Sequence, residues 1–158
     1  MALSDDDLSH LGRCVELARE ALDDGDEPFG SVLVDEEGRT LFEDRNRVKG
    51  GDHTRHPELA IARWAVDNMT PEQRAAATVY TSGEHCPMCA AGHAWVGLGR
   101  IVYAASSAQL TRWLTEWGAP PPPVVPLPVN TVAPGLRVDG PAARFEDTVK
   151  SLYEAKFR

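Results

Sequence analysis

His56, Glu58, Cys86 and Cys89 stand in two short strings of this chain, His56-Pro57-Glu58 and Cys86-Pro87-Met88-Cys89. One neutral imidazole and two thiolates form a three-ligand set suited to zinc, whereas hard cations such as magnesium prefer oxygen. A structural zinc site usually closes with four protein ligands; a catalytic site keeps one position for water. Glu58 is a carboxylate placed to move protons to and from such a water. Cys86 and Cys89 are three apart, so at a helix start they share one face of the first turn. The positive end of a helix lowers a thiol pKa, and both sulfurs then ionise readily. Pro57 sets His56 at the mouth of a second helix, since proline suits the first helical turn. If the two helices lie side by side on one sheet, their N-termini converge, and zinc held there lowers the pKa of water toward about 7.

The same residue types serve other chemistries. A C-x-x-C pair is also a redox motif, but here an H-x-E string lies one helix upstream. A structural zinc site could be closed by His53, His85 or His93, which would leave Glu58 without a role. A zinc-stabilised binding module without catalysis is the alternative from another class.

The elements that must position these residues are legible from periodicity. Leu8, Leu11, Val15, Ala18 and Leu22 predict a helix over 5–24, ended by Gly25. Strands are predicted over 29–34 and 40–44, with a turn at 36–38 between them. A helix follows from Pro57 to about 69, then a loop and helical turn at 70–72 and a strand over 77–81. Another helix runs from 86 or 87 to about 98, then a strand over 101–105 and a helix over 108–117. Residues 119–134 are proline-rich and predict an extended arm. Val124, Val125, Leu127 and Val129 suit an arm lying on the protein surface or on a partner subunit. A last helix spans about 142–156. The order of elements predicts an α/β fold, a three-layer α/β/α sandwich.

Composition bounds the function. The 158 residues, 42% hydrophobic and 25% charged, suit a single globular domain over 1–158. No apolar run approaches a membrane span, and the acidic start lacks the layout of a signal peptide. The expected location is cytoplasmic, where thiols stay reduced and serve as ligands. Cys14, the third cysteine, reads as a small buried apolar residue. The net charge of −8 weighs against a polynucleotide partner. The one local basic cluster is Arg45, Arg47 and Lys49. A small uncharged substrate fits better, with neither nucleic acid nor membrane as partner.

From about Glu27 to Ala105 the chain resembles the cytidine deaminase-like superfamily. The resemblance is strongest to the branch of guanine deaminase, cytosine deaminase and the tRNA adenosine deaminases, guanine deaminase above all. It is carried by Pro28-Phe29-Gly30-Ser31-Val32, Asn46-Arg47-Val48, His56-Pro57-Glu58 and the string from Val79 to Cys89, in that order. It implies a central mixed sheet of about five strands, and one Zn2+ per chain on His56, Cys86 and Cys89. It implies Glu58 as the acid–base that passes a proton from water to the ring and then to the departing amine. The reaction is hydrolysis of an exocyclic amine to a carbonyl with release of ammonia. Asn46 matches a base-reading asparagine, and Phe29 and Trp95 match aromatics that line the base pocket. The implied substrate is a free guanine-like or aminotriazine-like base, with cytosine, cytidine or tRNA adenosine as alternatives, and the implied assembly is a homodimer. Three departures stand out. Pro57 replaces an alanine whose N–H reaches substrate. His85 replaces a proline and offers a group for substrate contact or proton shuttling. The distal acidic segment is missing, and Glu116 is the stand-in.

Overall fold

In the computed structural model, which describes residues 2–158, five strands form one mixed sheet in the order β2-β1-β3-β4-β5. The strands are β1 (Gly30–Val34), β2 (Thr40–Arg45), β3 (Thr78–Gly83), β4 (Arg100–Ala105) and β5 (Val138–Asp139). β1 pairs antiparallel with β2 and β3, and β3, β4 and β5 run parallel. β1 is buried along its whole length, as its continuous apolar run Val32-Leu33-Val34 requires. β2 is the exposed edge, and its Glu43, Asp44 and Arg45 discourage pairing with another chain.

Alternation along the strands splits the core between two faces. Val32, Val34, Tyr80, Val102 and Ala104 pack under α1 (Asp5–Asp23), α5 (Ser107–Glu116) and α7 (Glu146–Phe157). Leu33 and Val79 face the other way, under α2 (Pro57–Asn68), while Ile101 meets α4 (Pro87–Trp95) and α6 (Val129–Val132). A short α3 (Pro71–Ala76) links α2 to β3. The three layers and five strands are those expected.

The departures have local causes. α4 stops at Trp95, short of residue 98, because Gly97 turns left-handed with φ +73°. The Gly97 and Leu98 N–H groups then cap the carbonyls of Ala94 and His93. The proline-rich arm is exposed from 120 to 128 and re-enters at Val129, which is fully buried at the start of α6. α6 and the two-residue β5 are too short to show a period.

Asp7 ties the layers together. It closes a capping box with Ser4 at the start of α1, accepts the Tyr80 hydroxyl at 2.7 Å, and takes two bonds from Arg100 at 2.9 and 3.2 Å. Arg100 in turn donates to Asp139 on β5. Burial opposes the charge of Asp7, but Arg100, the Ser4 amide and Tyr80 outweigh it and hold the carboxyl well below the usual range. A depressed folded pKa gives stability that is present above the unfolded value near 3.9 and is lost as pH falls below it. Asp7→Asn is expected to lower the urea-unfolding free energy at pH 7 by about 2 kcal/mol. Below about pH 4 the gap to the parent protein should narrow.

Candidate active site

Local sequence sets the backbone of both ligand-bearing turns. His56 precedes Pro57 and Cys86 precedes Pro87, and a residue before proline is driven to extended dihedrals. His56 lies at φ −90°, ψ 141° and Cys86 at φ −68°, ψ 166°, each the N-cap of its helix with proline just inside. Cys89 follows one turn into α4. α2 and α4 lie side by side, with Gly92 leaving room for Leu59 of α2.

The three ligand atoms fall within 4.8 Å of one another. His56 Nδ1 stands 3.6 Å from Cys86 Sγ and 3.5 Å from Cys89 Sγ. Zn–S near 2.3 Å and Zn–N near 2.0–2.1 Å at a tetrahedral angle put N and S about 3.6 Å apart, so the donor set fits zinc in size as well as softness. No fourth ligand joins it among the described residues. His53 is exposed, His93 Nε2 bonds the Gly99 carbonyl at 2.7 Å, and His85 packs edge-on to His93. Three protein ligands leave one position free, which suits catalysis and not a closed structural site.

Electrostatics follow from this crowding. The Cys86 thiol is brought down to about 4 by the Cys89 thiol, against its own burial and with help from His56. Cys89 is pushed up by that shared proton and by burial. Burial works to lower His56, yet Cys86 and Glu58 together raise it to about 9. Glu58, 6% exposed, rises to about 6 because burial outweighs the attraction of His56. The loop into Cys86 is anchored by Glu84, whose two oxygens accept the Ser107 N–H of α5 and the Val129 N–H of α6, each at 2.9 Å.

Residues 4–105 match the model of the cytidine and deoxycytidylate deaminase zinc-binding region. The chain belongs to that family. This deaminase is 34% identical to a probable cytosine deaminase of Schizosaccharomyces pombe over 122 residues, 76% of this chain and 73% of the relative. It is 36% identical to guanine deaminase of Bacillus subtilis over 97 residues, 60% of this chain and 62% of that one. A guanine deaminase structure from Nitrosomonas europaea shares the fold, with a TM-score of 0.69 at 21% identity over 99% of this chain and 86% of that one. The deaminase is therefore a zinc-dependent hydrolytic enzyme of this family, and His56, Cys86 and Cys89 are placed so that they could hold the metal. No helix among its described residues is long and apolar enough to cross a membrane.

The fold treats the other expected site residues unequally. Asn46 is 1% exposed, and its Oδ1 accepts the N–H groups of Glu27 at 3.2 Å and Val48 at 3.1 Å. Phe29 is half-buried beside Gly83 and packs on Tyr153 and Phe157. Trp95 is not brought to the zinc ligands within one chain. It ends α4, about 13 Å along the axis from Cys86 at roughly 1.5 Å per residue, and is 89% exposed. Glu116 ends α5 at the surface, 4.0 Å from Arg112. His85 is turned inward: it is fully buried, neither ring nitrogen has a partner, and burial holds it neutral, so it is not open to solvent.

Four further residues, Ser31, Thr81, Glu84 and Tyr153, stand out only in the fold. Ser31 and Thr81 are fully buried hydroxyls on β1 and β3, and Ser31 Oγ lies 3.3 Å from Glu58 Oε1. Polar residues inside GSVLV and TVYTSG were the available signal. Gly83 was a second one. A glycine in a strand marks a close approach, and a Cβ there would sit 2.6 Å from the Tyr153 hydroxyl.

Proposed function

We propose that the enzyme deaminates a free amino-substituted heterocycle the size of a nucleobase, guanine-like or aminotriazine-like. The observation that carries this reading is the convergence of His56, Cys86 and Cys89 with the buried carboxyl of Glu58 beside Cys89. Zinc on those ligands supplies the Lewis acidity that makes water nucleophilic near neutral pH. Glu58 takes one proton from this water and delivers it to a ring nitrogen, then takes the second from the hydroxyl added at the ring carbon and hands it to the departing amine, so that ammonia leaves and a carbonyl remains. Its pKa near 6 suits a group that must both take and give a proton at neutral pH. Pro57 has no N–H to offer the base, so recognition falls more heavily on side chains.

Asn46 is the foremost of these. Two backbone donors occupy its oxygen, and its Nδ2 has no protein partner among the described residues. Asn46 therefore offers the substrate a donor, which suits a ring carbonyl or an unprotonated ring nitrogen. Asn46→Asp keeps the oxygen for the backbone and replaces the donor with an acceptor. It is expected to raise KM by about tenfold or more, read from steady-state kinetics. Phe29 gives the ring an apolar wall.

The basic cluster does not favour nucleic acid. Arg45 pairs with Asp24 and Asp26, Arg47 with Asp44, and Lys49 with Asp24, which leaves little free positive charge for a phosphate backbone. The second reading, cytosine as substrate, is favoured by the Schizosaccharomyces pombe relative. Ammonia release by the zinc-loaded protein across guanine, aminotriazines, cytosine and adenosine decides between them; silence on every one would sink the proposal. The enzyme works in the cytoplasm as a homodimer, a state supported by the exposed Trp95, Val66 and Val125. Sedimentation giving the mass of one chain at micromolar concentration would refute the dimer.

A further inference from the structure

Ser31 and Thr81 are direct cross-strand partners on β1 and β3, and both are fully buried. The Thr81 hydroxyl donates to the Gly83 carbonyl at 2.9 Å. Ser31 Oγ lies 2.9 Å from Thr81 Oγ1 and 3.3 Å from Glu58 Oε1. A hydroxyl has one proton and two lone pairs, while a carbonyl oxygen can only accept. Thr81 therefore commits its proton to Gly83 and turns a lone pair toward Ser31. That leaves the single Ser31 proton with two acceptors. Rotated to Glu58, it donates to a carboxylate. Oε1 stays an acceptor when the other oxygen carries a proton, so the same bond serves that form too.

We propose that Ser31, set by Thr81, is a positioning residue that holds Oε1 of Glu58 and so leaves the other oxygen to the reacting side. The inference rests on Glu58 being the proton carrier.

The test uses full-length, zinc-loaded protein and four variants: Ser31→Ala, Thr81→Val, Thr81→Ser and Glu58→Gln. Rates of ammonia release from guanine and from cytosine are expressed per bound zinc. Ser31→Ala is expected to lower kcat about tenfold with KM unchanged within about twofold, since Ser31 acts through Glu58. Thr81→Val should lower kcat in the same way, and Thr81→Ser, which keeps the hydroxyl, should restore it. Crystal structures give a readout independent of activity: the Glu58 carboxyl should take more than one orientation in Ser31→Ala. Parental kcat in Ser31→Ala and Thr81→Val beside an inactive Glu58→Gln overturns the positioning proposal and spares the proton-carrier reading. So does an equal loss in Thr81→Ser and Thr81→Val, which would point to packing. Parental kcat in Glu58→Gln sinks both together. If neither base turns over, a single unchanged Glu58 orientation in Ser31→Ala overturns the proposal.

Discussion

Glu58→Gln is expected to keep one zinc per chain and lose about 10²–10⁴-fold in kcat. The amide has nearly the shape of the carboxyl and can still bond Ser31, but it cannot take a proton from water or hand one to the ring. That role requires the carboxyl beside the ligands and away from bulk water. Glu58 is 6% exposed in the first turn of α2, with His56 two residues away. Its placement also predicts a stability effect of definite sign. Burial raises Glu58 to about 6, above an unfolded value near 4.3, so the charged form is disfavoured in the fold. In metal-free protein that penalty is absent at low pH, grows as pH rises between those values, and is fully present above the folded pKa. Metal-free Glu58→Gln should therefore be at least as stable as the parent at pH 8, while the zinc-loaded variant is nearly inactive. Atomic metal analysis, urea unfolding and ammonia release together check the pattern. Loss of activity together with loss of zinc would show a ligand defect in place of a missing proton carrier.

How much of this was legible beforehand depended on whether the cause was local. The X-Pro pairs at 56–57 and 86–87 set their own dihedrals, so the turns that carry the ligands could be read from neighbours in sequence. The same holds for α1, whose apolar spacing lies within its own nineteen residues. β1 was legible as an apolar run, although its start moved to Gly30. Other features depend on contacts distant in sequence. β5 exists because two residues align with Ile101 and Val102 on β4, and no period shows in two residues. The inward turn of His85 depends on His93 in the next helix. Trp95 read as a pocket aromatic because type and order matched, and its 89% exposure within one chain shows only once the faces of α4 are placed. Ser31 carried a signal, a hydroxyl in a strand buried throughout, yet its meaning needed Thr81 and Glu58 placed beside it.

Cys89→Ser is expected to cut zinc affinity by more than about a hundredfold and to abolish deamination with it. Loss of a mere supporting contact to a metal ligand commonly costs about 10–100-fold, and here a ligand itself is removed. The protonation of the metal-free site makes the effect measurable without a substrate. At pH 7 Cys86, at about 4, is already a thiolate, while His56, at about 9, and the raised Cys89 each hold a proton. Zinc requires a neutral imidazole and two thiolates, so its binding must expel about two protons. Calorimetry in buffers of different ionisation enthalpy counts them. The serine variant, whose hydroxyl does not ionise in this range, should release about one with whatever zinc it still binds. The fold should survive the change, because α2 and α4 are held by apolar contacts that do not involve metal. Ile61, Ala62 and Ala65 pack on Leu33 and Val79, Ala90 packs on Ile101 and Val129, and Glu84 fixes the loop before Cys86. A folded serine variant that binds zinc as tightly as the parent, with the same proton count, would mean that Cys89 is not a ligand and that the metal centre lies elsewhere.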